Sequence, residues 1–174
     1  IQNRLAALPY RQYSDSQEFL LVRARVQAAA GEGRDAVREF EAKVQEQPSP
    51  AAWYGLAQAR LRVGDMEPAA HALDKAISLS PPSPLRDLAR VELALARGQV
   101  AEATKLSSAA LVINSAYRPL AYAHAKALLR ANKTREALDF LTERLRIWSS
   151  DGALYALKAQ AHQALGQTAE SFLA

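Results

Sequence analysis

Five turn-forming residues recur at one interval along this chain. Gly31, Gly64, Gly98, Asn132 and Gly166 are spaced 33, 34, 34 and 34 residues apart. A small residue follows each of them five positions later, at Ala36, Ala69, Ala103, Ala137 and Ser171, with the same spacings. Two landmarks in one register make the chain a tandem array of one supersecondary unit. An array of that period confines the fold to stacked copies, each touching its neighbours. Composition then selects what the unit contains. Alanine supplies 37 of the 174 residues and leucine 24, against 7 glycines and 8 prolines. Both are strong helix formers, and aromatics, which sheets favour, are only 7%.

The clearest unit runs from Trp53 to Pro81 and carries Leu56, Ala57, Gly64, Asp65, Ala69, Leu73 and Ala76 between them. Each has a physical reason. Gly64 can end a helix in the left-handed conformation. Ala57, Ala69 and Ala76 are small where two helix backbones cross closely. Trp53, Leu56 and Leu73 fill the space between helices, and Pro81 cannot continue one. This pattern, at a period of ~34 residues, resembles the tetratricopeptide repeat. The resemblance implies an all-α helix-pair solenoid wound as a right-handed superhelix, with about four and a half repeats preceded by a short helix.

The other units are in register but weaker. The first shows Ala24, Gly31, Ala36, Phe40 and Pro48; the third Val91, Gly98, Glu102, Ala103 and Ala110; the fourth Ala125, Asn132, Glu136, Ala137 and Leu141; the fifth Tyr155, Ala159 and Gly166. Ser115 and Ser149 stand where the third and fourth units should have proline. Asn132 is an acceptable stand-in for glycine because asparagine tolerates the left-handed region. The expected first helices are Ser16–Ala30, Pro50–Val63, Pro84–Arg97, Tyr117–Ala131 and Asp151–Leu165. The expected second helices are Arg34–Gln45, Met66–Leu79, Val100–Ile113 and Thr134–Trp148, with Gln167–Ala174 beginning the last. Cap chemistry precedes several of them, at Ser14, Asp15 or Ser16, at Ser49-Pro50 and at Ser83-Pro84. Residues 1–13 read as a linker helix from an upstream domain, and 14–174 as the repeat domain, with repeats near 16–48, 50–81, 84–115, 117–149 and 151–174. The text opens at Ile1 and breaks off at Ala174 inside an apolar stretch, and so reads as part of a larger protein.

There is no cysteine, which excludes disulfides, thiolate metal sites and a cysteine nucleophile. A zinc-protease helix needs two histidines one turn apart, but the residues four beyond His71, His124 and His162 are Lys75, Leu128 and Gly166. No glycine-rich phosphate loop and no nucleophile elbow occurs. His124 and His162 fall at packing positions of first helices and read as satisfied core or groove residues. No catalytic, cofactor or metal site is therefore assigned. No apolar run approaches the ~20 residues of a membrane span, so no direct membrane insertion is expected.

The net charge of +4 is not spread evenly. Residues 116–149 hold 7 basic and 3 acidic side chains, while the other segments are near balance. The basic residues are Arg118, Lys126, Arg130, Lys133, Arg135, Arg144 and Arg146. They form either a solvated face or a docking patch for an acidic protein surface. Clustering in one repeat, rather than along a groove, argues against nucleic acid as partner. In the resembled fold the first helices line a concave side, and its inward places fall on Arg25, Tyr54, Gln58, Arg62, Glu92, Tyr122, Lys126, Arg130 and Gln160. That mixed polar and aromatic set suits a protein or peptide partner. It departs from the subclass that clamps a terminal carboxylate, because those places hold Leu21, Arg25 and Gly55.

A narrower resemblance lies at the two ends. Asn3–Ala29, through Asn3, Arg4, Tyr10, Arg11, Asp15, Ser16, Glu18, Leu21, Val22, Arg23, Ala24 and Arg25, is similar to the segment that follows the catalytic domain in bacterial periplasmic zinc metallopeptidases of the β-barrel assembly-enhancing kind. Ser149–Ala174 also resembles that family's C-terminal repeats. The resemblance implies a periplasmic, non-catalytic repeat domain whose zinc and catalytic glutamate lie in a missing upstream domain. Its implied partners are its own protease domain and the outer-membrane β-barrel assembly machinery or the substrates of that machinery. The alternative is a free-standing tetratricopeptide adaptor or scaffold. The oligomeric state is left open.

Overall fold

The computed structural model describes residues 33–166. These residues fall into two compact units, divided after Ser80. Among them there are eight helices and no strand. The linker helix over 1–13, the helix over 16–30, Gly31, the caps near Ser14 and the helix begun at Gln167 lie outside the described residues.

The first unit holds α1 (Gly33–Glu46), α2 (Pro50–Val63) and α3 (Met66–Leu79). Ser49 starts α2 by accepting a hydrogen bond from the Ala52 N–H at 3.1 Å, and Pro50 follows it at the first helical position. Gly64 ends α2 at φ 86°, and the Asp65 N–H returns to the Arg60 carbonyl five residues back. Helix α2 packs on both neighbours. Its face gives Ala52, Leu56 and Ala57 to the interior, where Ala36, Phe40, Ala69, Leu73 and Ala76 are also buried. A Cβ on Gly55 would run into the Phe40 ring, so the absent side chain is what lets α1 approach α2. Arg60 ties the layers at the surface, donating to Glu41 at 2.9 Å and to the Pro68 carbonyl at 3.1 Å.

The second unit holds α4 (Pro84–Ala96), α5 (Val100–Ile113), α6 (Arg118–Arg130), α7 (Thr134–Ile147) and α8 (Gly152–Ala164). Consecutive helices pack against each other, and α6 also touches both α4 and α8. That is the contact pattern of stacked hairpins, in which each first helix lies on the first helix of the next pair. Ala89, Ala103, Ala121, Ala125, Ala127 and Ala137 are at most 1% exposed, so the alanine-rich composition is used at helix crossings. Leu141, Leu145, Leu154, Leu157 and Ala125 form one cluster of the core, with Tyr122, Leu129, Phe140 and Trp148 against its edge.

The four period-marking residues that are described all adopt the left-handed conformation: Gly64, Gly98, Asn132 (φ 58°) and Gly166. At Gly98 and Asn132 the next N–H again bonds five residues back, Gln99 to Ala94 at 2.8 Å and Lys133 to Leu128 at 2.9 Å. Helices α2, α3 and α5 have the expected bounds. Asp151 and Tyr117 are caps rather than first helical residues, and Arg97, Ala131, Trp148 and Leu165 fall just past the ends of their helices. The second helices of repeats three and four stop without proline. Where Ser115 and Ser149 replace it, the restart is set downstream, by Pro119 in the first turn of α6 and by the Asp151 carboxylate at α8.

Candidate functional site

Helical spacing groups the expected surface residues. Tyr54, Gln58 and Arg62 lie four apart on α2, and Tyr122, Lys126 and Arg130 lie four apart on α6, so each trio occupies one helix face. On α2, Tyr54 is 3% exposed and is packed into the interior, Gln58 is half-buried and Arg62 is exposed. On α6, Tyr122 is half-buried while Lys126 and Arg130 are exposed. Glu92 on α4 is half-buried and Gln160 on α8 is exposed. Since α6 touches α4 and α8, the second unit carries the larger share of the set on adjoining helices. Arg25 lies outside the described residues.

Two of these residues have a structural task that spacing did not reveal. The Tyr122 hydroxyl donates to Asp151 Oδ2 at 2.5 Å. The other oxygen of Asp151 accepts from the Ala153 and Leu154 N–H groups at 3.0 and 3.2 Å, capping α8. Arg118 comes within 3.9 Å of the same carboxylate, and its guanidinium lies 5.4 Å from the centre of the Trp148 ring. Tyr122 therefore fixes where α8 begins against α6. Arg130 Nη1 donates to the Leu95 carbonyl at 2.9 Å, reaching from α6 to the C-terminal turn of α4. A cation there also suits the negative end of that helix. The signals that could have found these contacts are a tyrosine and an aspartate separated by one repeat less a turn, and an arginine ending a first helix. Neither is distinctive in one sequence.

His124 is a core residue, as its packing position implied. It is 8% exposed, lies 2.8 Å through Nδ1 from the buried Ser107 hydroxyl oxygen of α5, and meets the Phe140 ring edge-on at 4.8 Å. The Ser107 hydroxyl donates to the Thr104 carbonyl at 3.0 Å. A proton on Nδ1 lets the serine oxygen accept from the ring while its own hydrogen stays on the Thr104 carbonyl. Burial pushes the His124 pKa below its ordinary value. Arg144 pushes the same way, Glu136 opposes it, and Lys133 adds to the lowering. Arg144 lies 5.0 Å over the Phe140 ring with its Nε buried and unpartnered. His71 is exposed beside Trp53, and His162 is half-buried on α8.

Among the described residues no group of three or more His, Asp or Glu side chains is placed to hold a metal ion. No described helix is long and apolar enough to cross a membrane. What the surface offers is charge. Lys105, Lys126, Arg130, Lys133, Arg135 and Arg146 are all exposed in the second unit. Lys133 pairs with Glu136 at 3.0 Å.

No protein-family model matches the chain, and no curated protein matches it. Solved structures do. A thermophilic TPR protein of Thermus thermophilus is similar with a TM-score of 0.74 and 19% identity, over 91% of this chain and 87% of that one. Nearly identical TPR-like repeats of a putative kinesin light chain from Podosopora anserina are similar with a TM-score of 0.59 and 20% identity, over 95% and 92%. A tetratricopeptide repeat protein from Parabacteroides merdae is similar with a TM-score of 0.65 and 14% identity, over 99% of this chain and 66% of that one. At these identities the likeness is one of fold. The fold is the all-α tetratricopeptide helix-pair solenoid.

Proposed function

We propose that the chain is a non-catalytic protein-interaction scaffold, and that it serves as the repeat domain of a periplasmic zinc metallopeptidase of the β-barrel assembly-enhancing kind. The observation that carries the scaffold reading is the helix-pair array itself. Stacked pairs bury their alanine and leucine faces in one another and leave the polar faces of successive helices as one adjoining surface, which is how such arrays bind proteins. In the second unit that surface bears Lys126, Arg130 and Gln160 on adjoining helices. The finer reading is supported by the resemblance of Asn3–Ala29 and Ser149–Ala174 to that peptidase family. Under it, the domain packs on its own protease and docks the enzyme on the outer-membrane β-barrel assembly machinery or the substrates held there. Zinc would belong to the catalytic domain.

The test is capture of identified assembly-machine components from an outer-membrane detergent extract, with the purified chain as bait. Lys126→Glu is run beside it. It is a cleaner variant than Arg130→Glu, because Arg130 also holds the end of α4. Capture by the wild type with loss in the variant supports docking through the basic face. Capture by both keeps the docking and removes Lys126 from it. No capture of these components contradicts the docking reading and directs the search to a protease domain or to the partners of a free-standing adaptor.

A further inference from the structure

Three exposed cations of the second unit, Lys105, Arg130 and Lys133, line one cleft. Arg130 and Lys133 flank the turn that Asn132 closes, and that turn lies against the N-terminal half of α5. Lys105, Thr104 and Ser108 of α5 line an open cleft of about 530 Å³ together with Arg130, Asn132 and Lys133. Three cations thus face a single cleft in which Glu136 takes only Lys133, at 3.0 and 3.1 Å. Lys105 has no ion-pair partner among the described residues. Arg130 commits one nitrogen to the Leu95 carbonyl. That bond holds the guanidinium in place and leaves the donors on its other nitrogens.

The polar lining agrees with the charge. Ser108 and Asn132 are exposed at the rim and can donate to an anion, while the hydrogen of the Thr104 hydroxyl is taken by the Val100 carbonyl at 2.9 Å. Helix α5 begins beside the cleft behind Gln99, and α7 begins behind Lys133. Neither start is capped by a side chain. Their partial positive charges add to the same field.

We propose that this cleft anchors an acidic stretch of a protein partner, its cations taking successive Asp or Glu carboxylates. The proposal rests on the scaffold reading above and gives it a location between the second helix of one pair and the turn of the next. The cleft is open and its cations are exposed and separate. That form suits several carboxylates spread along a chain. A single compact anion would need donors gathered in an enclosed, desolvated pocket.

Fluorescence anisotropy of a labelled octaglutamate peptide with the full chain tests it at low ionic strength. Saturable binding is expected, weakened about tenfold or more by Lys105→Glu with Lys133→Glu. Arg135→Glu with Arg146→Glu changes net charge equally outside the cleft and is expected to weaken binding far less. Circular dichroism melting confirms that each variant is folded. Equal loss from the two pairs would mean diffuse attraction and would overturn the cleft. Displacement by inorganic phosphate, where chloride of equal ionic strength does not displace, would overturn the carboxylate assignment. Absence of wild-type binding, with capture of assembly components intact, would overturn the cleft and leave the scaffold reading standing.

Discussion

The two units solve the same stacking problem with different means. In the first, helix ends are punctuated locally: Ser49 and Pro50 open α2, Gly64 closes it, and Ser80 closes α3 by donating its hydroxyl to the Ala76 carbonyl at 2.7 Å. Its interhelical ion pair, Arg60 with Glu41, sits toward the surface. In the second unit two of the prolines are missing, and side chains far apart in sequence hold helices together. Ser107 meets His124, Tyr122 meets Asp151, and Arg130 meets Leu95, across separations of 17, 29 and 35 residues. The contrast teaches that a repeat can lose a local stop signal when the next helix carries its own start signal, as Pro119 does in α6 and Asp151 does for α8.

Four changes break or sharpen that contrast. The largest concerns packing in the first unit. Phe40→Ala should cost ~3–5 kcal/mol, because the ring is 2% exposed and seated over Gly55. Urea melts followed by hydrogen exchange of α1 and α2 would show it. Arg60→Met there should cost under ~1 kcal/mol, as expected of a pair that is partly solvated. An Arg60 effect as large as that of Phe40 would erase the contrast.

Next is Asp151→Ala, which removes the α8 cap and the Tyr122 acceptor together. A loss of ~2 kcal/mol is expected, with Asp151→Asn retaining about half of it through the cap. Denaturant midpoints of the two variants and of Tyr122→Phe would check the order.

The third is a pH dependence from His124. Its folded-state pKa is lowered, so the unfolded chain takes up the proton first. The contribution is therefore complete above the unfolded value of ~6.5 and is lost as pH falls from there toward the folded value. The wild type should lose melting temperature faster than His124→Gln between neutral pH and mild acid. Parallel pH profiles would sink this assignment.

The smallest is Asn132→Gly. A non-glycine residue at φ 58° carries some strain, and glycine should relieve it, for a gain of no more than ~1 kcal/mol. Gly98→Ala at the equivalent turn should lose a similar amount, read from the same thermal melts.

The sequence made the frame legible because the frame is local. One glycine or asparagine per repeat gives the turn, and one small residue five places on gives the crossing. The candidate surface was less legible. Tyr54 and Tyr122 stand at equivalent places, yet the first is buried and the second holds a cap. Spacing assigns a helix face but not how deeply the neighbouring helices cover it. The cleft at Lys105, Arg130 and Lys133 depends on the contact of α5 with the turn after α6, which only the three-dimensional structure supplies.

The central claim is that partner binding uses the basic face of the second unit. Comparing Arg62→Glu in the first unit with Lys126→Glu in the second, in quantitative capture of outer-membrane assembly components, tests it most directly. The account predicts capture close to wild type for Arg62→Glu and a clear loss for Lys126→Glu. Equal losses from both variants, or loss from Arg62→Glu alone, would contradict it.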